Sequence, residues 1–386
     1  MALPTIKSKA FPYRRGSNAS ENDFFDIPDE PVVAMVKRQF RRVRTWVILA
    51  LFIMFMMWRR RAKPPPSLLP HIHYDEVDWS RYAYTTYATS ETYLCNAVMV
   101  FEALQRFGSQ AERVLFYPQD WDLVVENEFD RISQLLLMAK DDYNVLLHPV
   151  FIEGIKTGGE EASQASWDTS TAKLSAFGAV EYERVIHLDS DITLLQHMDE
   201  LFFLPPTMIA MPRAYWLLPH TKTLSSLLAV IQPSYREYTA LTDYLKPVQA
   251  GQIEVNLTDT RYDMELLNDR YGDNAMVLPH RPYGLISGEF RTKNHRTYLG
   301  NDHEAWNPDL ALAEAKFVHF SDWPLPKPWV MWPQEILAKV QPACDKDPGT
   351  PNESGCRDRE LWRKLYDDFR RQRKEICKLL SYPAPV

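Results

Sequence analysis

The stretch Glu183–Leu195, ERVIHLDSDITLL, decides how the rest of the chain is read. Its apolar run is short and β-branched, the pattern of a strand buried on both faces. The run leads into two carboxylates, Asp189 and Asp191, one residue apart. In an extended chain, residues i and i+2 point to the same side. At the carboxyl end of a parallel strand, that side borders the crevice where open α/β sheets hold ligands. Two like charges held this close repel unless a cation sits between them, which points to a divalent metal. An Asp-x-Asp is common in solvated turns. Its place directly behind a buried strand is what makes this one informative.

Upstream, strand and helix patterns alternate. Arg81–Thr89 (RYAYTTYAT) is rich in Tyr and Thr, as strands are. A helix follows, with apolar positions at Leu94, Ala97, Val98, Phe101 and Leu104. Arg113–Pro118 reads as a strand, Arg131–Tyr143 as a helix and Asn144–Phe151 as a strand. This order predicts an α/β sheet that is largely parallel in its first half. Residues 152–170 form a polar, Gly-containing loop, and a short helix from Thr171 leads into the central strand. Downstream the alternation loosens. Strands are expected at Met208–Tyr215, Leu227–Gln232, Ala275–Leu278 and Lys316–Ser321, with helices near Tyr235–Lys246 and Met264–Tyr271. Arg359–Leu380 reads as one basic amphipathic helix whose charges make a solvated face.

A second constellation lies at Phe317–Trp329, FVHFSDWPLPKPW. His319 falls in an apolar, strand-like run, where a lone histidine is more often a satisfied core residue than a ligand. Lys327 follows in a proline-stiffened loop. Together they offer a nitrogen ligand and a fixed cation close in sequence, suited to completing a metal site and holding a phosphate.

Charge divides the chain unequally. Residues 1–63 hold 13 Lys/Arg against 5 Asp/Glu, and the remainder 31 against 46. So acidic a body lacks the electrostatic footprint of a nucleic-acid binder. The basic end flanks Thr45–Trp58, TWVILALFIMFMMW, an uncharged run fenced by Arg42 and Arg44 before it and Arg59–Arg61 after it. As a helix it spans roughly 21 Å, and snorkelling arginines with its terminal tryptophans extend its reach across a thin bilayer. The expected plan is a disordered cytoplasmic tail (1–44), a transmembrane anchor (45–61), a Pro-rich stem (62–80), a catalytic domain (81–335) and a C-terminal loop and helix (336–386). With the folded bulk behind the anchor, that plan is a single-pass type II membrane protein. Asn256 and Asn352 begin glycosylation sequons. Of the four cysteines, Cys95 reads as a small core residue, while Cys344 and Cys356 bracket a loop that a lumenal protein can close with a bridge.

Five stretches carry a resemblance: YATSETYLCNAVMVFEALQRFG (87–108), TAKLSAFGAVEYERVIHLDSDITLL (171–195), LLAVIQPS (227–234), YDMELLND (262–269) and KFVHFSDWPLPKPW (316–329). In this order they resemble the glycogenin-like retaining glycosyltransferases of family eight, especially the fungal, membrane-anchored, N-acetylglucosaminyltransferase-like branch. The resemblance implies a single Rossmann-like, nucleotide-sugar-binding domain of the GT-A type, with a mixed, mainly parallel sheet behind a transmembrane helix. It implies Golgi residence, a UDP-sugar donor and a glycan or glycoprotein acceptor. Asp189, Asp191 and His319 would ligate manganese, and Lys327 would contact the phosphates. Lys173 would reach the donor, Tyr87 and Thr89 would line the uridine pocket, and Asp263 would face the transferred sugar or the acceptor.

The chain departs from the family pattern on the sugar side. Met264 stands where the family has glutamine, and Ser225-Ser226 where it has Asn-Ser. These changes favour altered donor specificity, and they keep open a rival reading: a lectin-like or scaffold protein on a transferase fold.

Overall fold

The computed structural model describes residues 73–151, 172–249, 263–321, 327–346, 353–378 and 382–383. The expected tail, anchor, first part of the stem (62–72) and the asparagines of both sequons lie outside these residues, as do 152–171 and 322–326. No helix among the described residues is long and apolar enough to cross a membrane.

Elements are named in chain order: β1 (Tyr82–Tyr87), α1 (Glu91–Arg106), β2 (Glu112–Pro118), α2 (Arg131–Tyr143), β3 (Val145–Val150), β4 (Arg184–Leu188), β5 (Ile192–Leu194), β6 (Ile209–Pro212), β7 (Leu228–Ile231), α3 (Tyr235–Gln249), α4 (Asp263–Tyr271), β8 (Met276–Leu278), β9 (Leu285–Ile286), β10 (Phe317–His319) and α5 (Arg357–Cys377). The helix boundaries have local causes. Ser90 caps α1 by accepting from the Tyr93 N–H, and Asp130 caps α2 through the Ser133 N–H. Asn144 ends α2 in the left-handed region at φ 51°.

Seven strands form the main sheet in the order β3-β2-β1-β4-β7-β6-β8. β3, β2, β1 and β4 run parallel; β7 is antiparallel to β4 and β6, and β6 pairs parallel with β8. The sheet is thus mixed and mainly parallel, as the alternation of patterns predicts. From β1 the chain moves out to β2 and β3, then returns on the other side as β4. That reversal is a topological switch point, and the carboxyl ends of β1 and β4 flank its crevice.

Period-two alternation feeds a core on each face. Tyr84 and Ile186 join the core beneath α1, while Ala83 and Val185 join the one containing Phe177, Leu241 and Leu266. All five residues of β4 are buried.

The structure corrects four expectations. Glu183–Leu195 is not one strand: the acidic turn splits it, β4 entering the main sheet and β5 a smaller one of order β5-β10-β9. Cys95 is not a free core thiol, because it is disulfide-bonded to Cys377, joining α1 to the C-terminal helix; Cys344–Cys356, a pairing the sequence left open, is bridged. Residues 73–80, counted with the stem, lie on the domain, where Trp79 meets Phe202 and Phe203 edge-on. The charges of α5 are not all solvated, since Arg373 is 2% exposed. Its Nη1 donates to Asn96 Oδ1 at 2.9 Å and to Thr92 O at 3.1 Å, which gives the buried guanidinium partners inside the protein.

Candidate active site

Asp189, Ser190 and Asp191 make the turn from β4 to β5, and each acid is fastened through its backbone. The Asp189 N–H donates to Leu227 O at 3.2 Å, and the Phe320 N–H donates to Asp191 O at 3.0 Å. β10 runs antiparallel to β5 with His319 opposite Ile192. This register brings residue 319 onto the acidic turn although about 130 residues separate them in the chain. His319 Nε2 lies 3.0 Å from Asp191 Oδ1 and 3.5 Å from Asp189 Oδ2.

Two lysines extend the cluster on opposite sides. Lys173 Nζ stands 2.7 Å from Asp189 Oδ1, an ion contact without hydrogen-bond geometry. It donates to Asp263 Oδ2 at 2.6 Å and to Ser226 O and Oγ at 3.3 and 3.4 Å. Lys327 Nζ donates to Asp191 Oδ2 at 2.5 Å and to Phe320 O at 2.6 Å. The groups therefore alternate in sign: Asp263, Lys173, Asp189, His319, Asp191, Lys327.

Electrostatics follow from that order. Burial pulls the His319 pKa down, but Asp191 and Asp189 outweigh it and push it up to about 9. Burial raises the carboxyl pKa of Asp191, yet His319 and Lys327 hold it well below the usual carboxylate range. Asp189 is lowered likewise: burial raises it, and Lys173 and His319 together more than offset that. Burial depresses Lys173 as well, but Asp189 and Asp263 overcome it, so the ammonium is held more firmly than in water.

The residues fit a divalent metal. One ligand atom from each of Asp189, Asp191 and His319 lies within 4.8 Å of the others. Two carboxylate oxygens and an imidazole nitrogen are a donor set for a borderline-hard ion such as Mn²⁺. His319 must lose its proton to ligate, so an entering ion takes that proton's place between the acids.

Tyr87 ends β1 beside this cluster. Its ring stacks on the His187 imidazole (centroids 5.7 Å apart, planes at 7°), and Lys173 Nζ lies 6.0 Å from its centroid. Tyr87 is only 6% exposed, so it can offer a ligand little more than an edge. Thr89, half-buried, is the more open of the pair.

Every residue singled out from the sequence thus comes to one end of the sheet, and the structure adds two that the sequence did not suggest. Ser226, noted only as a departure, receives Lys173. Asn268 clasps α4 to the preceding segment: Oδ1 accepts from Leu224 N at 2.8 Å, and Nδ2 donates to Leu224 O at 2.7 Å and to Met264 O at 2.8 Å. It thereby fixes the helix turn that carries Asp263. An amide five residues past Asp263 on the same helix was the available signal.

No family model matches the chain. It is 63% identical to a protein of Aspergillus fumigatus called glucose N-acetyltransferase 1, over 97% of each chain. A protein of the same name from Gibberella zeae is 45% identical over 78% of this chain and 64% of its own length. The Saccharomyces cerevisiae protein of that name is 25% identical over 78% of this chain and 82% of its own. Among solved structures, the galactosyltransferase LgtC with donor and acceptor sugar analogues aligns with 74% of this chain and 95% of its own, at TM-score 0.46 and 9% identity. A likeness that low adds nothing to the topology described above.

Proposed function

The chain belongs to the family of the fungal proteins called glucose N-acetyltransferase 1, and on that premise we propose that this transferase moves N-acetylglucosamine from a UDP-sugar to a glycan acceptor with retention of configuration. The observation that carries the reading is the meeting of Asp189, Asp191 and His319 between two buried or half-buried lysines.

A manganese ion held by Asp189, Asp191 and His319 would neutralise a bound diphosphate. Lys327 keeps a positive charge beside Asp191, where it would receive the charge that develops on the leaving oxygen. As the C1–O bond to the diphosphate breaks, its electron pair leaves with the phosphate. The acceptor oxygen bonds to C1 and gives its proton to a phosphate oxygen. Lys173 holds Asp263 as an ion-paired carboxylate at 2.6 Å, which weakens it as a nucleophile. That favours attack from the leaving-group face over a double displacement through Asp263, whose role is then to orient sugar or acceptor. Thr89 and the edge of Tyr87 would border the nucleobase.

The two disulfides suit an oxidising compartment. They support placing the domain in the Golgi lumen behind the 45–61 anchor as a type II membrane protein. Ser225-Ser226 and Met264 bear on which sugar is taken.

The relatives' name favours a second reading, in which the acetyl group alone moves to glucose. Buried acids paired with lysines suit a diphosphate better than a thioester. The test is a panel of UDP-sugars with and without Mn²⁺, beside acetyl-coenzyme A with glucose. Manganese-dependent UDP release, greatest with UDP-N-acetylglucosamine, is expected. Acetyl transfer without UDP release would overturn the proposal, and binding of sugars with no turnover would leave the lectin-like rival.

A further inference from the structure

The backbone that carries Lys327 is fastened to α5. Lys327 leads into Pro328 and Trp329, a turn closed by the Val330 N–H on Lys327 O at 3.0 Å. The Pro328 carbonyl accepts from Arg370 Nε of α5 at 2.9 Å. Trp329, 3% exposed, lies edge-on to Tyr93 of α1 at 5.5 Å and 5.8 Å from Phe369 of α5, with the Arg373 guanidinium 6.0 Å from its ring centroid. Phe320, whose carbonyl Lys327 grips, packs edge-on against Tyr366 and Phe369 of the same helix at 5.2 and 5.1 Å. One helix therefore fixes both the backbone beneath Lys327 and the carbonyl that its ammonium holds. α5 is itself pinned to α1 by Cys95–Cys377 and by Arg373 on Asn96.

We infer that α5 is a brace for the diphosphate side of the site, and that Arg370, acting through the Pro328 carbonyl, is a positioning residue for Lys327. Arg370 suits that task. Its Nη1 pairs with Asp367 at 3.0 Å and its guanidinium lies over Tyr366 at 5.7 Å, so the donor is oriented before it meets the carbonyl. Its side chain is 25% exposed, so trimming it removes a directed hydrogen bond while leaving the buried face of α5 intact. The neighbouring Arg371 is 60% exposed and pairs with Asp368, on the same helix. The inference rests on reading Lys327 as the cation that meets a diphosphate.

The experiment measures UDP binding in the presence of Mn²⁺, and donor KM and kcat, for the full chain and five variants. Arg370→Ala is expected to weaken UDP binding and raise donor KM about tenfold, with a smaller change in kcat, the scale of one charge-assisted hydrogen bond. Arg370→Lys recovers part of the loss, because an ammonium can still donate to Pro328 O. Arg371→Ala binds as the wild type. Arg370→Ala combined with Lys327→Met binds no more weakly than Lys327→Met alone, since the arginine acts through the lysine. Wild-type affinity in Arg370→Ala, or additive losses in the double variant, would overturn the inference. Failure of the unaltered protein to bind UDP with Mn²⁺ would instead remove the reading beneath it.

Discussion

The two flanks of the Asp189–Asp191 pair are built by different means. On the Asp191 side, His319 and Lys327 come from one short stretch of chain, set by the β5–β10 ladder and by the turn into Trp329. On the Asp189 side, Lys173, Ser226 and Asp263 come from three separate segments, and the lysine side chain reaches across to the other two and to Asp189. Backbone pairing fixes position at low cost in side-chain entropy, whereas a lysine drawn to several acceptors must lose its rotamer freedom to hold them. On the proposed reading, the first flank is a rigid mount for an ion and a diphosphate. The second is a junction held by one side chain, and Ser226, singled out in the sequence for its residue type, is part of it.

That contrast can be broken from either side. The largest effect is expected from Asp191→Asn, which removes the charge that both His319 and Lys327 face: turnover should fall by about a thousandfold or more, with circular dichroism unchanged. Lys173→Met comes next. It leaves Asp189 and Asp263 without their shared cation and should lower kcat about 100-fold, while Mn²⁺ affinity stays within about threefold. Equal loss of metal affinity and turnover would erase the distinction between the flanks.

A smaller, graded effect concerns pH. His319 in the metal-free protein titrates at about 9, so an entering ion must displace its proton. Mn²⁺ affinity should therefore climb as pH rises toward about 9, by up to about tenfold per unit, and level off above it. The metal-free protein should show the opposite trend in stability. Because the folded pKa lies above the ordinary imidazole value of 6.5, the imidazolium's contribution is complete below 6.5 and is lost as pH rises through about 9. Calorimetric titrations and melts across that window check both signs. Smallest for the chemistry is Asn268→Ala. The loss of its three hydrogen bonds to backbone groups should cost about 2–3 kcal/mol of stability, read as a lower Tm, with donor KM nearly unchanged.

The Asp191 flank was the more legible in the sequence. A buried strand ending in Asp-x-Asp announces a site because hydrophobic pattern and charge coincide, and His319 stands out as a polar residue in a strand-like run. The succession of strands up to β4, and their parallel pairing, followed from alternating periodicities. The Asp189 flank was harder to read. That Lys173 would join two acids, one 16 and the other 90 residues away, depends on how α4 seats against the sheet, which no local period encodes. Cys95 failed for the same reason. Apolar neighbours on α1 describe a core cysteine equally well whether or not a partner arrives 282 residues later. Arg370 and Arg373 were lost in the general basicity of α5, because charge count does not reveal which arginines face inward.

The central claim is that Asp189, Asp191 and His319 form one metal site. Its most direct test is calorimetric titration of Mn²⁺, with UDP present, into the unaltered protein and into His319→Ala. The account predicts a single bound ion per chain in the first and an affinity at least about tenfold weaker in the second. Equal stoichiometry and affinity in both would contradict it.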